Sequence, residues 1–124
     1  GYEVVGMAYP GGTGCIGTSD KIIREKTGIK YARTTTSTYN FDLQDDLILF
    51  NPTVYHHTEW DAMFSLGRKF LELTPDKPQL LYIWGHSFEF DIHNTWDRME
   101  DFCKMISGKE DIFYGTNKEV LQDK

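Results

Sequence analysis

Cysteine is scarce in this sequence, with Cys15 and Cys103 the only two among 124 residues. So widely separated a pair makes neither a Cys-x-x-Cys metal clip nor the disulfide framework of small secreted domains, and it identifies no compartment. Long apolar runs are also missing. The longest, residues 80 to 85, is far short of the ~20 residues that a bilayer span needs, so no membrane span is expected. Basic charge is in deficit: 13 Lys and Arg against 19 Asp and Glu give a net charge of −6. Nucleic-acid affinity rests on a concentrated Lys/Arg surplus, so a nucleic-acid partner is not expected. The chain begins at Gly1 rather than Met, and no charged stretch followed by an apolar one suggests a signal peptide. Either such a segment has been removed or the chain is part of a longer one, and cytoplasmic and secreted locations both stay open.

Large apolar side chains, by contrast, are plentiful. Eight Phe, seven Tyr and three Trp, within 40% hydrophobic residues overall, suffice for a core with aromatics left for a binding face. The length suits one domain of roughly 100 to 150 residues. Residues 3 to 9 read as a buried strand that empties into Pro10-Gly11-Gly12-Thr13-Gly14. Ser19 is placed to cap a helix over residues 20 to 26, with Gly28 as its stop, and residues 29 to 34 and 47 to 50 read as strands around a long polar loop. Thr58-Glu59-Trp60-Asp61 resembles a capping box. Trp60, Met63, Phe64, Gly67 and Leu71 then share one helical face. Residues 79 to 84 read as a strand buried on both faces, and Trp96, Met99, Phe102, Cys103 and Ile106 predict a helix stopped by Gly108, with a last strand over 112 to 115. Strand and helix alternate, which predicts an α/β fold with mostly parallel pairing.

Parallel α/β layers gather reactive groups at the carboxyl ends of their strands. Three segments end there: Tyr9-Pro10-Gly11-Gly12, Arg33-Thr34-Thr35 and Trp84-Gly85-His86-Ser87. His86 is the strongest candidate, because imidazole titrates near neutrality and can give a proton to a leaving group. The alternative is an imidazole packed beneath a loop. His56 or His57, with His86, Glu89, Asp91 or His93, supplies the residue types of a zinc site, but adjacent residues on an extended chain point to opposite sides and nothing fixes the geometry. Glu89 and Asp91 either orient a histidine or lie on the surface, and Asp42, Asp45 and Asp46 read as a solvated turn. The loop from Pro10 to Gly14 lacks the GxxxxGK[ST] spacing of a phosphate loop; it is either a tight turn or a source of backbone N–H groups for an oxyanion. Trp60 and Trp96 lie on the helical stripes as core candidates, whereas Trp84, at a strand mouth, is the one placed to face a sugar ring.

Met7-Ala8-Tyr9-Pro10-Gly11, Tyr31-Ala32-Arg33-Thr34, Asn51-Pro52-Thr53-Val54-Tyr55-His56-His57 and Ile83-Trp84-Gly85-His86-Ser87-Phe88-Glu89-Phe90-Asp91, taken in order, resemble the C-terminal half of a polysaccharide deacetylase domain, over essentially all of residues 1–124. The resemblance implies half of a distorted (β/α) barrel and hydrolysis of acetyl groups, typically the N-acetyl of amino sugars, on an acetylated polysaccharide or oligosaccharide. It implies a divalent metal, usually zinc, whose Asp and two His ligands belong to N-terminal motifs; neither Asp-Asp-Gly nor His-x-x-x-His occurs here, so no metal ligand is assigned to this chain. By position, His86 matches the catalytic acid and Trp84 the apolar wall of the acetyl pocket. Gly11 falls in the oxyanion loop, where Pro10 is kept but Ala8 and Gly11 replace Arg and Tyr, which leaves Gly11 a backbone role. No Asp-Trp motif appears between Thr34 and Asp46, so the resemblance supplies no residue to orient His86.

These implications make the chain, by itself, an inactive portion of a carbon–nitrogen hydrolase, since a lone imidazole contributes only about 10²- to 10⁴-fold. Half a barrel also leaves open sheet edges, so self-association through those edges is expected if the other half is missing. The competing expectation is a non-catalytic carbohydrate-binding or assembly module that keeps the aromatic strand mouth alone. Which glycan is taken, and whether its acetyl group is on N or O, stays open.

Overall fold

Each strand of the described chain pairs in parallel with one other strand, and an α-helix lies in sequence between the members of each pair. The computed structural model describes residues 1–12 and 17–122, so Thr13, Gly14 and Cys15 lie outside the described residues. The chain divides into one unit of Gly1–Thr36, Gln44–Asn51 and Phe113–Lys124 and another of Ser37–Leu43 and Pro52–Ile112.

In the first unit, β1 (Gly6–Ala8) pairs with β2 (Tyr31–Arg33), Met7 opposite Ala32, and α1 (Ser19–Lys26) lies between them in sequence. The strand expected over residues 3 to 9 is shorter because its first residues face solvent, Val4 being 59% exposed. Gly6 is needed for the pairing: a Cβ there would meet the Tyr31 ring at 2.0 Å. Helix α1 forms where expected, but its N-cap is Thr18 without a side-chain bond, not Ser19. It ends before Gly28 because the Thr27 hydroxyl donates to the Ile23 carbonyl (2.7 Å) and accepts from the Ile29 N–H (3.2 Å). The strand expected over residues 47 to 50 is a 3-10 turn, Leu47–Leu49, begun by the Asp46 carboxylate on the Ile48 N–H; only Phe50 bridges to Arg33. Tyr9, Ala32, Ile48 and Phe50 are buried, and the Tyr9 hydroxyl donates to the Ile48 carbonyl at 2.7 Å. No strand forms over residues 112 to 115, where Phe113 is 71% exposed. Instead Thr116 and Glu119 build a reciprocal capping box that starts α5 (Asn117–Leu121), a signal legible in the sequence and missed there.

In the second unit, β3 (Val54–Tyr55) pairs with β4 (Ile83–Trp84), Tyr55 opposite Trp84, with α2 (Trp60–Leu71) between them in sequence. The capping box expected at Thr58 is not made: Thr58 takes a left-handed φ of 64° and Glu59 is the N-cap, without a side-chain bond. Helices α3 (Phe88–Ile92) and α4 (Trp96–Ile106) follow. Val54, Trp60, Met63, Leu66, Phe90 and Phe102 make the core, flanked by Ile83, Met99, Met105 and Ile106. The segment expected as a doubly buried strand is only half-buried, since β4 has one strand neighbour and the residues before it bond to loops, Leu80 N–H to the Phe41 carbonyl (2.8 Å) and Tyr82 N–H to the Thr53 hydroxyl (3.0 Å). On α4, Trp96 (50% exposed) and Cys103 fall outside the buried stripe, which runs through Met99, Phe102 and Ile106. The chain is thus a mixed helix-and-strand fold with small parallel sheets, and no closed barrel is formed among the described residues.

Candidate functional site

At the carboxyl end of β4 the chain turns through Gly85 and His86 into α3, whose first turn carries Glu89. Glu89 is 5% exposed, so its carboxylate has lost water and must be satisfied by protein. It is. Glu89 Oε1 accepts the His86 backbone N–H at 2.9 Å and lies 2.8 Å from His86 Nδ1, while Oε2 accepts the Tyr55 hydroxyl from β3. Burial pushes the Glu89 carboxyl up, but the hydrogen bonds from Tyr55 and His86 outweigh it and hold the group below its ordinary 4.5. An ionised carboxylate only accepts, so His86 Nδ1 is the donor and carries the hydrogen. The His86 side chain is 52% exposed, and its Nε2 makes no hydrogen bond to the described protein.

The other histidines gather around the same carboxylate. His56 Nε2 lies 3.9 Å from Oε1 and His57 Nδ1 lies 3.7 Å from Oε2, so the adjacent imidazoles diverge yet each faces one oxygen. His93 stacks on His57 at 4.3 Å. His56 is 2% exposed, stacked on Phe90 at 4.4 Å, and neither of its ring nitrogens has a hydrogen-bond partner. The His86 backbone carbonyl lies near enough to favour a proton on His56, yet no hydrogen bond forms between them. Burial therefore holds His56 below its ordinary 6.5, against the opposing pull of Glu89. Tyr55 stacks on Trp84 (4.3 Å, 19° between planes), and burial together with its bond to Glu89 pushes the Tyr55 hydroxyl up to about 12.

Of the sequence candidates, His86 stands at the strand mouth as expected, with Trp84 and Glu89 beside it. Trp84 is half-buried, with one indole face covered by Tyr55. Asp91 is exposed and accepts from Trp96 Nε1 at 2.7 Å, and no hydrogen bond or ion pair joins it to a histidine among the described residues. Asp42, Asp45 and Asp46 are exposed as expected, Asp46 pairing with Arg24 at 2.7 Å. Gly11, in the first unit, is exposed with a left-handed φ of 73°. The sequence missed the burial of Glu89 and the part played by Tyr55; the i, i+3 spacing of His86 and Glu89 was the available signal. Among the described residues no group of three or more His, Cys, Asp or Glu side chains is arranged to hold a metal ion. Likewise no described helix is long and apolar enough to cross a membrane. Comparison of the chain with protein-family models, with curated proteins and with solved structures finds no match in any of the three.

Proposed function

We propose that residues 1–124 are the C-terminal portion of a metal-dependent carbohydrate deacetylase domain, half of a distorted (β/α) barrel, in which His86 is the general acid. One observation carries this reading: a half-exposed imidazole held through Nδ1 by a buried carboxylate, with Nε2 left without a hydrogen-bond partner among the described residues. Hydrolysis of an acetamide adds water to the carbonyl carbon and then breaks the C–N bond, and the departing nitrogen must receive a proton to leave as an amine. His86 Nε2 supplies that proton, and Nδ1 stays hydrogen-bonded to Glu89 throughout. Trp84 forms an apolar wall beside the acetyl group. In a metal-dependent hydrolase the metal polarises the carbonyl and lowers the barrier to water attack. Neither Asp-Asp-Gly nor His-x-x-x-His, the motifs that the resemblance implies for its ligands, occurs in residues 1–124, so the ligands are assigned to sequence outside this chain. The substrate class is an acetylated amino-sugar polymer or oligomer.

The far edge of β2 is met by Phe50, and the other strand edges of the two-stranded sheets are left to be paired, by the rest of the barrel or by a second copy of the chain. The decisive test joins the chain to its native upstream sequence, adds zinc and measures acetate release from acetylated glucosamine oligomers. Release that requires the upstream sequence and metal is expected. No release with both present overturns the reading in favour of a module that only binds carbohydrate.

A further inference from the structure

We infer that Glu89 is the positioning residue for His86, so that the chain carries its own orienting carboxylate and Tyr55 locks that carboxylate in place. The inference rests on the reading of His86 as a proton donor only for its purpose; the geometry stands without it. Glu89 Oε1 takes both the backbone N–H and the ring Nδ1 of His86 (2.9 and 2.8 Å), which pins the residue at its main chain and at its ring. The three-residue spacing makes this possible, because the Glu89 N–H in turn donates to the His86 carbonyl at 3.1 Å and closes the turn. The second oxygen is held by the Tyr55 hydroxyl, so the carboxylate cannot rotate away.

Among the described residues no other carboxylate pairs with the His86 ring. His56 and His57 approach the carboxylate at 3.9 and 3.7 Å, outside hydrogen-bond distance, and Asp91 is engaged by Trp96. Burial of Glu89 to 5% exposure strengthens the contact, because little water screens it. An imidazolium that gives up its Nε2 proton is left as the Nδ1–H tautomer, and a carboxylate acceptor at Nδ1 stabilises that form. An imidazole free in water favours the opposite tautomer, with the hydrogen on Nε2. Glu89 thus selects the form that His86 must reach after donating.

Long-range ¹H–¹⁵N NMR of the imidazoles in the full chain, above the pH at which they titrate, reads the tautomer directly, with His86 assigned through His86→Asn. The Nδ1–H form is expected to predominate at His86, to give way to Nε2–H in Glu89→Leu, and to return in Glu89→Gln, whose amide oxygen still accepts. A predominantly Nε2–H His86 in the unsubstituted chain overturns the inference without any variant needing to fold. So does an unchanged tautomer in a folded Glu89→Leu. Because nothing here depends on turnover, an Nδ1–H tautomer in a domain that releases no acetate refutes the proposed activity and leaves the positioning intact. An Nε2–H tautomer in an active domain does the reverse.

Discussion

The imidazole of His56 lies directly against the α-carbon of Gly85, where an added Cβ would stand 1.8 Å from His56 Cδ2 and 2.1 Å from Nε2. The ring cannot retreat, since it is 2% exposed with Phe90 stacked on it at 4.4 Å and Trp60 at 5.4 Å. Gly85→Ala therefore forces a buried ring to move and is expected to cost about 1–3 kcal/mol, the usual range for overpacking. Urea unfolding measures the loss. The double variant Gly85→Ala with His56→Ala should lose clearly less than the sum of the two single losses, because one contact is counted in both. Additive losses would show that the two residues do not meet.

His56 also makes stability depend on pH. Its folded-state pKa is depressed by burial, so the unfolded chain takes up a proton near the ordinary 6.5 while the folded chain resists it. Stability then falls as pH drops through 6.5 and levels off below the folded value. Glu89 acts lower. Its folded pKa lies below 4.5, so its contribution is present above 4.5 and is lost as pH falls through the folded value. Urea midpoints across this range should show both declines. His56→Leu should abolish the upper one and keep the lower one, at little cost at neutral pH beyond packing, since the ring has no hydrogen bond to lose. An upper decline that persists in the variant assigns it to another group.

Tyr55 works at the other end of the scale. Its hydroxyl is raised from 10.0 to about 12 by burial and by Glu89, so the folded chain keeps a proton that the unfolded chain gives up. Stability is fully present below pH 10 and is lost as pH rises toward 12. Tyr55→Phe should remove this alkaline contribution and, by stripping a donor from a buried carboxylate, cost about 1–3 kcal/mol at neutral pH. The stability gap between the two proteins should hold at pH 8 and shrink as pH rises from 10 toward 12, and a gap that stays constant would contradict the assignment.

Helices and their packing were the most legible part of the fold. Trp60, Met63 and Gly67 carry the helical period that places them inward on α2, and Met99, Phe102 and Ile106 do so on α4. Periodicity is a local property, so it survives in a single sequence. Strands fared worse because their extent depends on a partner: β3 and β4 are two residues long, and apolar residues 47 to 49 turn instead of extending once Asp46 captures the Ile48 N–H. At the site, His86 was legible from its place after an apolar run. The burial of Glu89 was not, because a Glu in a sequence reads as solvated until a hydroxyl from a distant strand is brought to it.

Gly67 on α2 faces Phe102 and Met105 of α4, and a Cβ there would stand 2.8 Å from Phe102 Cε2 and 2.8 Å from Met105 Cε. Two effects oppose each other in Gly67→Ala. The helix gains roughly 1 kcal/mol of intrinsic propensity, and the interface loses about 1–3 kcal/mol to overpacking. The Met105 terminus is flexible and yields, but the Phe102 ring is 3% exposed and does not. Net destabilisation is expected, measurable as a lowered Tm. A raised Tm would mean that the helices separate without cost.

The substitution His86→Ala distinguishes chemistry from folding. The side chain is 52% exposed, and the backbone N–H of residue 86 remains to satisfy Glu89 Oε1, so the buried carboxylate keeps a donor on each oxygen. Urea unfolding of the chain should therefore change little. In the complete domain with zinc, the proposed proton-donor role predicts that the substitution lowers kcat for acetate release by about 10²- to 10⁴-fold, with KM affected far less, because in that role Nε2 would act on the departing nitrogen rather than on the bound ground state. A substrate whose leaving group needs no proton, such as an acetyl ester of a phenol, should lose much less. Equal losses on both substrates would make His86 a binding or structural residue, and unchanged turnover of the amide would remove it from the reaction.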